Sequence, residues 1–345
     1  MVSFSARNRP SPALLGLAVL LASGCASSPR TSAPAPSEAP APSLPAKGPS
    51  VAPAASTQSP TAASGEGKSK AKLTVAEARR FTLELINKDR ASMGLPPVVL
   101  DDGAAERAGQ RHAEDMAAHG FLGHFGSDGS VPEQRYTEAG GADFVMENAS
   151  CVTDEKTREL DPAPLVDREA LVRAESMFFN EAPPNDGHRK NILKPVHKRV
   201  GIGIALAKAT ETELPGLCLT HEFVDPYGTY TPLPKRAKAG GTIHVEGEIR
   251  APAKFGGVGV ARLDPPKPIP VRELNQRRSY AIPEPYRVYW PAGFKTEIPV
   301  TVTGNRFSID VPLGRGPGLY AISVLGQYPG QTSYGMIGLR TIVVD

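Results

Sequence analysis

The segment Glu181-Ala182-Pro183-Pro184-Asn185-Asp186-Gly187-His188-Arg189-Lys190-Asn191-Ile192-Leu193 holds an acid and an imidazole on either side of a forced turn. Proline fixes φ and glycine accepts backbone angles that other residues avoid, so the chain must bend between Glu181 and His188. Asn185 and Asp186 are good caps for a short helix running to Leu193. That helix sets His188 in its first turn, with Asn191 and Ile192 on the same face. The positive end of a helix disfavours imidazolium and keeps the ring neutral near pH 7. A neutral imidazole beside a carboxylate suits metal coordination or proton transfer; the alternative is a surface turn with an incidental histidine. A second chemical demand comes from Val145-Met146-Glu147-Asn148-Ala149-Ser150-Cys151, which reads as a strand. A buried, unpaired carboxylate is costly there, so Glu147 needs a partner: His124, His188 or a cation.

Gly187-His188-Arg189-Lys190-Asn191-Ile192-Leu193 resembles the Gly-His-Arg-x-Asn-Ile-Leu signature of the bacterial CAP superfamily, which takes in cysteine-rich secretory proteins, antigen 5 and plant pathogenesis-related proteins. The resemblance runs over residues 73–224, less than half of the chain, and recurs at separate points. Phe121-Leu122-Gly123-His124 is similar to the family's Phe-x-His turn. Glu147-Asn148 is similar to its Gly-Glu-Asn-Ile, with Met146 in place of the glycine and Ala149 in place of the isoleucine. Phe178-Phe179-Asn180-Glu181 stands where secreted relatives carry an aromatic pair followed two places later by an acid, with Glu175 as a competitor. The resemblance implies a tetrad of His124, Glu147, Glu181 and His188 around one open cleft of an α/β/α sandwich. It also implies a divalent ion, zinc foremost, held by His124 and His188 with water in the remaining positions. An ion-free hydrogen-bonded network is the alternative. Asn148, Arg189 and Asn191 would brace the loops.

The elements that must position these groups follow from patterning. Thr74-Val75-Ala76-Glu77 is a capping box opening a helix with Phe81, Leu85 and Ile86 at helical spacing, stopped by Gly94-Leu95-Pro96-Pro97. A second helix runs over 103–119 and a third over 167–181. His112 lies on the apolar face of the second and is expected to be a hydrogen-bonded core group; His119 suits its C-terminal end. In the strand 199–206, Val200, Ile202, Ile204 and Leu206 share one face. Gly201, Gly203 and Ala205 leave the other bare for a helix or ligand. Residues 217–224 form the next strand, with His221 read as structural.

A chain of 345 residues is too long for one ordinary core, and a net charge of +3 gives no pull toward nucleic acid. Residues 1–25 read as a signal peptide: arginines, a short apolar run, then Ala22-Ser23-Gly24-Cys25. Small residues ending on cysteine resemble a lipoprotein box, making Cys25 the lipid attachment point; plain cleavage without lipid is the alternative. Residues 26–71 are a Pro/Ala/Ser linker unable to bury a core. Residues 72–228 make the CAP-like domain. Cys151 and Cys218 remain for a disulfide or two buried thiols.

Residues 226–241 read as a hinge, with a basic cluster at 235–238. Short strands at 242–249, 255–263, 279–282, 286–290, 298–302, 307–311, 320–325 and 336–343 then give residues 240–345 an immunoglobulin-like β-sandwich. Tyr286, Tyr289 and Trp290 serve its core or a sugar-stacking surface. The fold class is α+β. The expected function is a lipid-anchored, extracytoplasmic binding protein with a divalent-metal cleft, held at the outer membrane and taking a small molecule, lipid or envelope component. A metal-dependent hydrolase and an adhesion or scaffold protein acting through the β-sandwich are the alternatives. No nucleophile signature or His-Glu-x-x-His helix favours the enzyme.

Overall fold

The computed structural model describes residues 71–211, 213 and 216–345. The leader with Cys25, and the linker up to residue 70, lie outside the described residues. The first body runs β1 (Lys72–Leu73), α1 (Val75–Ser92), β2 (Val99–Leu100), α2 (Ala104–His119), α3 (Pro132–Glu138), β3 (Phe144–Ser150), β4 (Val166–Asp167), α4 (Arg168–Phe179), α5 (Gly187–Ile192), β5 (Arg199–Ala205) and β6 (Cys218–Asp225). Its central sheet has the order β2-β5-β6-β3, antiparallel except for the β2–β5 edge. Alternation along β5 builds the layers. Val200, Ile202 and Ile204 point into a core shared with α1, α4 and α5. Gly201 and Gly203 face α2, where an added Cβ would come within 2.2 Å of the Ala105 and Gly109 backbones. The bare strand face is thus a seat for a helix.

Thr74 caps α1 through the reciprocal capping box with Glu77. The buried stripe of that helix is Ala78, Thr82, Ile86 and Arg90, an exact spacing of four, while Phe81 and Leu85 lie at its rim. α3 has no counterpart among the sequence-based expectations; Pro132 occupies its first turn, where a missing N–H costs nothing. Cys151 and Cys218 are joined by a disulfide between the end of β3 and the start of β6.

The second body runs β7 (Gly228–Tyr230), β8 (Arg236–Ala237), β9 (Thr242–Ile249), β10 (Lys254–Leu263), α6 (Val271–Leu274), β11 (Arg287–Tyr289), β12 (Thr301–Thr303), β13 (Arg306–Pro312), β14 (Gly318–Gln327) and β15 (Gly335–Val344). Two sheets, β11-β10-β14-β15-β8 and β12-β13-β9-β7, enclose a core of Val245, Val258, Val260, Phe307, Val311, Ile322 and Val324. Exposure alternates residue by residue along β9, as a half-buried strand requires.

Two expectations are corrected. Residues 226–241 are not a free hinge, because β7 and β8 pair into the two sheets. Residues 279–282 are not a strand: Tyr280 is drawn to Glu133 and Phe125 of the first body, and Pro283 and Pro285 bar a ladder just beyond. The connection from β10 to β11 instead straps across the first body. Ile269 donates its N–H to the Ser127 carbonyl at 2.9 Å, Asn275 accepts the Leu122 N–H at 3.0 Å, and Leu274 joins the core around Met116 and Phe121. Phe144 of β3 packs with Ala261, Ala321 and Leu339 of the sandwich.

Candidate functional site

α2 ends on Gly120 in the left-handed region, φ 66°, and the chain turns into a loop carrying His124. That loop is pinned to its neighbours. His112 Nε2–H donates to the Gly123 carbonyl at 2.8 Å, Arg135 donates to the His124 carbonyl at 3.1 Å, and Ser127 binds Asp115 through both N–H and hydroxyl. His112 is fully buried, and burial, aided by Arg135, drives its pKa down to about 4. It is a core group holding the loop. His119 bonds the Asp115 carbonyl within its own helix.

Glu147 projects from β3 beneath this loop, 1 % exposed. Its Oε1 lies 2.9 Å from His124 Nδ1, and its Oε2 accepts from Arg135 Nη2 at 2.7 Å. Burial alone would raise this carboxyl's pKa; Arg135, His112 and His124 outweigh it and hold the group well below the usual carboxylate range. The partner demanded by sequence is therefore double, an imidazole and a guanidinium. Directly across the ladder stands Glu222, fully buried, whose pKa burial and the Glu147 charge push far upward, so it is a neutral acid.

On the other rim, Glu181 performs the role expected of Asn185 and Asp186. Its Oε2 accepts the His188 N–H at 2.8 Å and the Arg189 N–H at 3.4 Å, while Oε1 lies 2.6 Å from His188 Nδ1. Asp186 makes no capping hydrogen bond; it pairs with Lys190. One carboxylate thus both caps α5 and orients its histidine, because a longer side chain placed before the turn reaches back over it. Phe178 lies under the His188 ring at 4.7 Å. Glu175, the competing acid, is buried 3.5 Å from His221, whose ring packs edge-on against Phe178. Burial, then Asp89, raises Glu175 to about 8, and burial, then His188, lowers His221 to about 3, so both are neutral near pH 7.

The His124 and His188 rings come to 6.4 Å between centroids, tilted 46°. Each Nδ1 is held by a glutamate, and among the described residues neither Nε2 has a hydrogen-bond partner. The side chains are 18 % and 29 % exposed, so solvent reaches this pair. A carboxylate on the far nitrogen is the usual second layer behind metal-binding histidines, fixing tautomer and raising basicity. Zinc–nitrogen bonds of about 2.1 Å put an ion about 3 Å from each ring centre, so rings sharing a tetrahedral ion stand about 5 Å apart. The rings must close by about 1 Å to reach that spacing. Among the described residues, no group of three or more His, Cys, Asp or Glu is arranged to hold a metal ion. Two imidazoles without a third protein ligand do not fit a structural ion site and leave only an exchangeable one open.

Asn148 and Asn191 are buried side by side: Asn191 donates to Asn148 Oδ1 at 2.9 Å, and Asn148 donates to the His188 carbonyl at 3.3 Å. Arg189 donates to the Phe179 carbonyl and covers the Phe179 ring. The three aromatic residues of the sandwich separate. Tyr289 is core, Tyr286 lies half-buried under Arg315, and Trp290 sits between Phe294 and Tyr334, both exposed. Sequence reasoning missed Arg135 and Glu222. Arg135 carried one usable signal, the lone cation of the segment Pro132-Glu133-Gln134-Arg135-Tyr136.

Residues 83–214 match the family model described as the cysteine-rich secretory protein family, CAP, and include all four cleft residues. No curated protein matches the chain. Among solved structures it is similar to an extracellular protein containing an SCP domain from Bacillus anthracis, 18% identical with a TM-score of 0.31, covering 43% of this chain and 40% of that one. It is also similar to a chitin binding domain from Burkholderia pseudomallei, 8% identical with a TM-score of 0.21, covering 32% of this chain and 56% of that one.

Proposed function

The chain carries a CAP domain, and on that premise we propose that it is an extracytoplasmic binding protein whose cleft takes a divalent cation, zinc foremost, between His124 and His188. One observation supports this most. Two solvent-reached imidazoles stand 6.4 Å apart and tilted 46°, each with its Nδ1 committed to a glutamate and its Nε2 left over. An ion there would supply a Lewis-acid anchor for an oxygen-bearing ligand. The chain's own residues do the rest: Glu147 and Glu181 fix the tautomers, Arg135 keeps Glu147 anionic, and Asn148, Arg189 and Asn191 hold the turn that presents His188.

The same bonds argue against a hydrolase. A general base must have a free oxygen within reach of water, and both glutamates are spent on orientation, Glu147 being 1 % exposed. Binding rather than turnover is the reading they favour. The lipoprotein-like leader and a disulfide between Cys151 and Cys218 support residence outside the cytoplasm, with Cys25 as lipid anchor at the outer membrane. Among the described residues, no helix is long and apolar enough to cross a membrane.

Calorimetric titration with zinc tests the cleft. Wild type should bind one ion per chain, and the double variant His124→Ala/His188→Ala should lose at least about tenfold in affinity. Equal affinities would reject the site.

A further inference from the structure

Behind the cleft, five side chains form an unbroken hydrogen-bonded line. The Tyr328 hydroxyl of the sandwich shares its single proton between Asp225 Oδ2 at 2.6 Å and the Met336 carbonyl. Asp225 Oδ1 lies 2.5 Å from His197 Nδ1, and His197 Nε2 lies 2.9 Å from Asn191 Oδ1. Asn191 Nδ2 donates to Asn148 Oδ1, and Asn148 Nδ2 donates to the carbonyl of His188. Asn148, Asn191, His197, Asp225 and Tyr328 are all at most 5 % exposed, so no water rearranges freely among them.

The polarity of this line is dictated from its ends. A backbone carbonyl can only accept, so Asn148 must turn its amide nitrogen to His188 and its oxygen to Asn191. Asn191 must then give its nitrogen to Asn148, leaving its oxygen for His197, which has to donate from Nε2. At the other end Asp225 already accepts from Tyr328 and Lys194, so the 2.5 Å contact to His197 Nδ1 needs a second proton. That proton rests on either atom without changing the count. With one proton fewer, His197 keeps Nδ1–H on Asp225 and turns a lone pair to Asn191. Both amides must then reverse, which brings Asn148 oxygen against the His188 carbonyl and abolishes that bond.

We infer that His197 is a positioning residue for the cleft: the His197–Asp225 pair carries the proton that decides whether Asn148 holds the carbonyl of His188. This deepens the cleft assignment above and rests on it. The groups facing His197 are Asp225 and Phe223 from β6, Asn191 from α5, Lys194 just beyond it and Arg90 from α1, with Tyr328 reaching Asp225 from the sandwich. Burial first, then Lys194 and Arg90, favour the neutral ring, against the pull of Asp225. The latched form therefore belongs to the acid side and is released as pH rises.

Nitrogen-15 NMR of the labelled chain reads this directly, without any metal. As pH rises, His197 Nε2 should pass from protonated to bare, wherever the proton it shares with Asp225 rests. The side-chain amides of Asn148 and Asn191 and the backbone N–H of Arg189 should follow with the same apparent midpoint. Asn191→Leu should leave the ring titration and abolish the Arg189 response. Tyr328→Phe, which removes a donor from Asp225, should keep the coupling and move the midpoint to higher pH; it serves if Asn191→Leu does not fold. An Nε2 whose protonation never changes with pH, or an Arg189 response unchanged in Asn191→Leu, would overturn the inference. So would a midpoint unmoved in Tyr328→Phe. Loss of zinc binding with an intact relay would instead count against the cleft reading alone.

Discussion

At the residue scale, the molecule buries more ionisable groups than its cleft uses, and their protonation states are set mainly by desolvation. Glu175 shows the consequence for stability. Its folded pKa is raised by burial, then by Asp89, to about 8, against an unfolded value near 4.5. Below 4.5 both states hold the proton and folding pays no penalty. As pH rises from there toward 8 the unfolded chain ionises and the native one does not, so stability falls by up to about 1.4 kcal/mol per pH unit from this group. Glu175→Gln should flatten the decline between about pH 5 and about pH 8 in urea unfolding. An unchanged slope would show that Glu175 is ionised in the native state. How far such residues were legible varies. Glu147 announced itself, since a carboxylate in an apolar strand has to be matched. Glu222 did not, because only the β3–β6 register reveals that it stands opposite Glu147.

At the element scale, helices were readable wherever the chain writes its own start signal. Thr74 with Glu77 opens α1 at the expected residue, and Gly120 ends α2. α5 shows where that logic stops: the nearest polar side chains did not cap it, and an acid beyond two prolines did. Capping by a residue seven positions away depends on the turn's path, which periodicity does not encode. The glycines of β5 were legible as a bare face, although not which element fills it. Filling that face should be severe. Gly203→Ala would place its Cβ 2.2 Å from the Gly109 carbonyl oxygen, and backbone cannot yield as a side-chain tip can. We expect α2 to be pushed off the sheet at a cost of about 1–3 kcal/mol, read as a lower thermal midpoint. A variant as stable as wild type would mean that the helix shifts freely, and with it the loop carrying His124.

At the scale of the whole molecule, the two bodies were separable on paper because composition alternates between helical and strand periods, with a basic, proline-rich stretch between. The interface that joins them was not legible, since it is made by a strap whose strand-like pattern at 279–282 turned outward to meet another body. Tyr280 from this strap bonds the buried Glu133 and meets Phe125, next to His124, edge to face. Residues 72–235 expressed alone should therefore unfold at a lower urea midpoint than the full chain, or fail to stay soluble, because Phe144, Asp225 and Met116 lose their covering. A fragment matching the full chain in midpoint and cooperativity would mean that the strap merely rests on the surface.

The strap has a bearing on how such a chain can change over generations. Lys267 crosses Gly129 so closely that a side chain at 129 would strike its backbone, and the turn holding one cleft histidine is shaped by residues written some 140 positions downstream. Recombination that exchanged the tail for a foreign cassette would leave that turn without its mould. Heritable variation in the two halves must travel together.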